Sequence, residues 1–93
     1  MIRSFKDKDT EAIHNGKFVR RIPKQVAPLA ARKLNQVHGA GCLEDLRIPP
    51  GNRLQALKGD RKGQHGIRID DQRRICLRWT PAGPDAVEIV DCH

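Results

Sequence analysis

Apolar and polar residues in the second half of the chain alternate with a period of two. In residues 66–70, Ile67 and Ile69 flank Arg68; in residues 72–79, Ile75, Leu77 and Trp79 alternate with Arg74, Cys76 and Arg78. Successive side chains on a strand point to opposite faces, so this spacing predicts a β-hairpin with its tip at Asp70 and Asp71. The isoleucines, Leu77 and Trp79 would share one face and the arginines the other. Residues 53–57 are expected to form a strand ahead of the hairpin, and residues 86–92, rich in Val and Ile, a last one. Pro81, Gly83, Pro84 and Asp85 mark a turn at 81–85 between hairpin and last strand. Ile2 and Phe5 among polar neighbours suggest a short edge strand over 1–6.

The first half follows a helical period instead. Acidic residues at 7–11 suit a helix N-terminus, and Asn15-Gly16 supplies a stop, so a brief helix is expected to end near His14. The longest helix is expected over residues 24–38. There Val26, Ala30, Leu34 and Val37 fall on one face with Leu29 beside them, while Arg32 and Lys33 fall on the charged remainder. Pro28 either distorts the first turn or marks where the regular helix begins. Gly39 and Gly41 end it, Leu43 and Leu46 suggest one more turn, and Ile48-Pro49-Pro50-Gly51-Asn52 reads as a rigid loop. The order is strand, helix, helix, then a run of strands. This predicts one α+β domain over 1–93, with both helices on one face of an antiparallel sheet.

Composition narrows what such a sheet is for. Only 3% of residues are aromatic, so the core must be built from Ile, Leu, Val and Ala. The net charge of +7 points to a polyanionic partner such as nucleic acid. Cys42, Cys76 and Cys92 are odd in number and lack Cys-x-x-Cys spacing, which predicts neither a disulfide framework nor a zinc knuckle. With no signal-peptide pattern and no apolar run near 18 residues, a cytoplasmic protein is expected.

Three segments carry a resemblance across the chain: Leu-Lys-Gly-Asp-Arg at 57–61, Ile-Arg-Ile-Asp-Asp-Gln-Arg-Arg-Ile-Cys at 67–76, and Val-Glu-Ile-Val-Asp-x-His at 87–93. In order, spacing and total length they resemble HigB-type toxins of the RelE superfamily. The resemblance implies a RelE-like domain, a twisted antiparallel sheet with two N-terminal helices. It also implies a ribosome-dependent messenger-RNA endonuclease, an mRNA interferase that cuts in the decoding site without metal or cofactor. Growth arrest by inhibited translation would follow. The implied partners are messenger and ribosomal RNA and a HigA-type helix-turn-helix antitoxin; operator DNA would be met only through that antitoxin.

Metal-free RNA cleavage needs a base for the ribose 2′-hydroxyl, cations around the phosphorane and an acid for the leaving oxygen. Arg74, in the segment matching the family's catalytic strand, is the first candidate for the phosphate, because a guanidinium fork matches its geometry. Arg73 is the alternative if the register slips by one. His93 can move a proton near neutrality, and Asp91, of the same strand parity, could orient it. Cys92 stands where the family usually has tyrosine, and Gln55 where some relatives have a catalytic histidine. A thiol offers no comparable stacking surface, although a Cys92 thiolate could act in proton transfer; an amide cannot shuttle a proton. Lys58, Arg61 and Lys62 in a basic loop, with Arg68, Arg73 and Gln55, are expected to contact RNA. His65 is a substitute proton donor or an ordinary surface histidine; His14 and His38 are explained by helix ends.

Two other readings stay open on the residues alone. A ParE-like toxin would use this fold against DNA gyrase, and the missing tyrosine would suit a non-catalytic module that only binds RNA or antitoxin.

Overall fold

The computed structural model describes residues 1–91. Helix α1 is Lys8–His14. Asp7 caps it, its carboxylate accepting from the Thr10 amide at 2.6 Å, and Asp9 and Glu11 complement the dipole of the first turn. The helix stops where expected, because Gly16 adopts φ +80°, a conformation glycine takes without strain.

Helix α2 is Ala27–Gly39, shorter at its start than the expected 24–38. Pro28 lies in its first turn, where a missing amide hydrogen costs nothing, so the regular helix begins there. Its buried face carries Ala30, Leu34 and Val37, and also Lys33. This corrects the solvated place expected for Lys33. Its ammonium donates to Asn52 Oδ1, while Asn52 Nδ2 donates to Gln36 Oε1 at 3.1 Å and to the Leu46 carbonyl at 3.1 Å. Burial, with Arg32 and Arg68 adding repulsion, lowers the Lys33 pKa from its usual value. The loop after α2 contains 3-10 turns at Leu43–Arg47 and Pro50–Asn52.

Strands β1 (Gln55–Ala56), β2 (His65–Arg68), β3 (Arg73–Thr80) and β4 (Gly83–Asp91) form an antiparallel sheet in the order β1-β2-β3-β4. The expected strand over 53–57 is reduced to two residues, since Arg53 takes a left-handed φ of +48°. The last strand starts at Gly83 rather than 86. The turn signal is confined to Pro81 and Ala82, and Pro84 pairs opposite Trp79 within the ladder. Residues 1–6 run parallel to β4, with a bridge from Phe5 to Val87 and the Ser4 carbonyl accepting from the Val87 amide at 3.1 Å.

The core lies between the helices and one sheet face. It holds Ile13, Ile22, Leu34, Val37, Leu46, Ile67, Ile75, Leu77, Val87 and Ile89, as the low aromatic content requires. Trp79, expected on the same apolar face as Ile75 and Leu77, is only half-buried at the margin of this core. Thr10 is fully buried and ties helix to sheet, its hydroxyl accepting from the Ile89 amide at 2.9 Å.

Candidate functional site

Register decides which side chains share the sheet face turned away from the helices. Gln55 pairs with Gly66, Gly66 with Cys76, Cys76 with Glu88, and Arg68 with Arg74. Directly paired residues point the same way, so Gln55, Arg68, Arg74 and Glu88 stand on this open face. The parity read from the sequence therefore assigns Arg74 correctly. Arg73 has the opposite parity and pairs with Asp91.

At the β2–β3 end of the open face lies a trough of about 240 Å³ lined by Arg53, Gln55, Gly66, Arg68, Arg73 and Arg74, with Asp70 and Asp71 at its rim. It is smaller than pockets that enclose a small molecule, roughly 300–1,000 Å³, and its lining suits a segment of polyanion lying across it. The turn beneath is fixed by Asp70, whose Oδ1 accepts from the amides of Gln72 at 2.9 Å and Arg73 at 2.8 Å.

The four guanidiniums are not equivalent. Arg68 pairs with Asp71. Arg73, with 14% of its side chain exposed, lies 3.4 Å from Asp70 and 3.4 Å from Asp91, so both its neighbours are carboxylates of the protein itself. Arg53 and Arg74 have no carboxylate partner among the described residues, which leaves them for an external anion. Gly66 makes room for Arg74, since a Cβ there would come 3.3 Å from its Cδ.

Sequence reasoning brought together Arg74, Arg68, Arg73 and Gln55, and the structure gathers all of them at the trough. Asp91 stands at the end of β4 as Arg73's partner. The expected positions of Cys92 and His93 lie outside the described residues. His65 opens β2 opposite Leu77, on the face away from Arg74, which removes it as a substitute donor at the trough. Lys58, Arg61 and Lys62 belong to a separate loop whose 3-10 turn is Gly59–Arg61. Lys58 and Lys62 are exposed, and Arg61 is engaged by Glu88 at 3.1 Å. Sequence reasoning missed Arg53, although its two-residue spacing from Gln55 was visible, and Glu88, whose facing depends on a register no local pattern fixes. Among the described residues no group of three or more His, Cys, Asp or Glu side chains could hold a metal ion, and no helix is long and apolar enough to cross a membrane.

Comparison with known proteins places the chain in a family. The family model described as RelE-like toxin of type II toxin-antitoxin system HigB matches residues 3–93. Toxin HigB-1 of Vibrio cholerae serotype O1 is 40% identical over 80 residues, 85% of this chain and 84% of that protein. An uncharacterized protein of Haemophilus influenzae is 29% identical over 59 residues, 63% of this chain and 58% of its own length. The family match over nearly the whole chain and the 40% likeness lead to one conclusion: the chain belongs to the HigB-like toxins, RelE-like toxins of type II toxin–antitoxin systems.

Proposed function

We propose that this toxin is a ribosome-dependent endoribonuclease that cuts messenger RNA in the decoding site and so arrests translation in the cytoplasm. The observation that carries the reading is Arg74, unpaired among the described residues, in an arginine-lined trough on the sheet face away from the helices. In the cleavage the ribose 2′-oxygen loses its proton and attacks phosphorus, and the 5′-oxygen leaves with a proton, giving a cyclic phosphate. Arg74 neutralises the charge that grows on the phosphorane. Arg68, Arg73 and Gln55 hold the flanking RNA, while Lys58 and Lys62, on the loop that Arg61 ties to Glu88, contact phosphates farther along. His93 moves the proton, with Asp91 and Cys92 beside it in sequence completing the catalytic group. One domain, residues 1–93, does this, with no cofactor. A HigA-type helix-turn-helix antitoxin restrains it and carries it to operator DNA.

Expression without antitoxin should stop growth and leave codon-associated cuts in translated messages. Arg74→Ala should lower cleavage on translating ribosomes by about 100-fold or more, the cost of deleting one transition-state charge partner, with thermal stability unchanged. Intact messages together with inhibited supercoiling would assign the toxin to gyrase instead. Intact messages with RNA still bound would make it a binder.

A further inference from the structure

The β1–β2 loop does not extend into solvent. Its Arg61 reaches across the open face, past β2 and β3, to Glu88 on β4 at 3.1 Å. Glu88 is buried, with 11% of its side chain exposed, and also takes Lys6 of the N-terminal segment at 3.5 Å. Below them the row Gly66–Cys76 carries little side-chain bulk, and Cys76 is buried although its parity turns it away from the core. Further ties fix the loop: Arg61 also donates to Gln64 Oε1 at 3.2 Å, and Arg78 Nη1 to the Gly63 carbonyl at 3.5 Å. Gly59 and Gly63, at φ +65° and +92°, leave the loop little stiffness of its own. A nearly buried carboxylate thus holds a loop whose other two cations, Lys58 and Lys62, remain exposed.

We infer that Glu88 is a positioning residue for a second RNA surface, outside the trough, on which the loop it anchors presents Lys58 and Lys62 to the phosphates of a single strand. The inference rests on the RNA reading above and specifies where the strand runs once it leaves the trough. Simple electrostatics and this arrangement give opposite signs for one substitution. Glu88→Gln raises the net charge from +7 to +8, since one carboxylate is lost, and charge alone would tighten RNA binding. If Glu88 positions the loop, the same change weakens binding, because Arg61 loses its charged acceptor and the lysines lose a fixed place.

The test is binding of a short 2′-O-methylated single-stranded RNA, which cannot be cut, across a salt series, alongside thermal denaturation of each variant. Wild type should show strong salt dependence. Glu88→Gln should bind about tenfold more weakly at low salt, and its log–log salt slope should be shallower by about 1.4, two phosphates at roughly 0.7 each. Partial unfolding would lower the bound fraction without changing that slope. Glu88→Asp, which keeps the charge, should stay within about twofold of wild type. Equal or tighter binding by Glu88→Gln overturns the inference, as does equal impairment of Gln and Asp, which would indicate packing rather than charge. A wild-type protein without salt-sensitive RNA binding defeats the underlying RNA reading, and the inference with it.

Discussion

His14 shows what a single side chain contributes beyond its place at a helix end. Its ring lies tilted against both Phe5, with centroids 5.5 Å apart, and His38, at 5.2 Å. Its Nδ1 is buried without a hydrogen-bond partner among the described residues, whereas His38 Nδ1 accepts from the Ile2 amide at 3.2 Å. Burial first, then the nearby His38, lower the His14 pKa from 6.5. The unfolded chain therefore binds more protons than the folded one between 6.5 and that lower value, and stability falls as pH drops through this window. His14→Phe keeps a ring between Phe5 and His38 and removes the titration. Urea midpoints at pH 7.5 and 5.5 should lie closer together in this variant than in wild type. The sequence placed His14 and His38 at helix ends but did not bring them together, because their contact joins residues 24 positions apart through the packing of α1 on α2. Arg74 was legible for the opposite reason: a strand's period of two assigns its face without knowledge of any partner.

Strand β4 carries a bulge that no alternation revealed. The register slips between Cys76 and Arg78, and Ala86 sits there at φ +51° while its amide donates to the Ser4 hydroxyl at 2.9 Å. A Cβ in the left-handed region costs about 1–2 kcal/mol, and glycine returns part of that through its looser unfolded chain, about 0.4–1 kcal/mol. Ala86→Gly should thus stabilise the protein by about 0.5 kcal/mol. Ala86→Val should destabilise it by about 1 kcal/mol or more, both read from thermal unfolding. The hairpin, both helices and their stops were readable because local chemistry sets each of them. The starting points of α2 and β4 were shifted by prolines: Pro28, readable in two ways, opens the helix, and Pro84, read as part of a turn, lies in the ladder opposite Trp79. Lys33 looked like part of a solvated stripe because its partner, Asn52, comes from a distant turn.

At the scale of the molecule, a net charge of +7 acts on folding and binding in opposite senses. The trough's Arg53 and Arg74 and the loop's Lys58 and Lys62 put part of that charge outside the trough's own ion pairs. Raising salt from low to physiological strength should raise the melting temperature by screening self-repulsion, while weakening the RNA binding proposed above. Calorimetry and an RNA titration over the same salt series would read both trends, and parallel trends would contradict this account. The charge was plain from composition; its division between a trough and a loop required the fold. The margins of the sheet carry one last consequence. On one side β1 offers only two residues, and on the other residues 3–6 already pair with β4, so among the described residues neither border presents a long row of vacant amides and carbonyls to another chain. Trimming those opening residues would bare β4, a Val- and Ile-rich ribbon, and turn a self-contained protein into one prone to clump with its own copies.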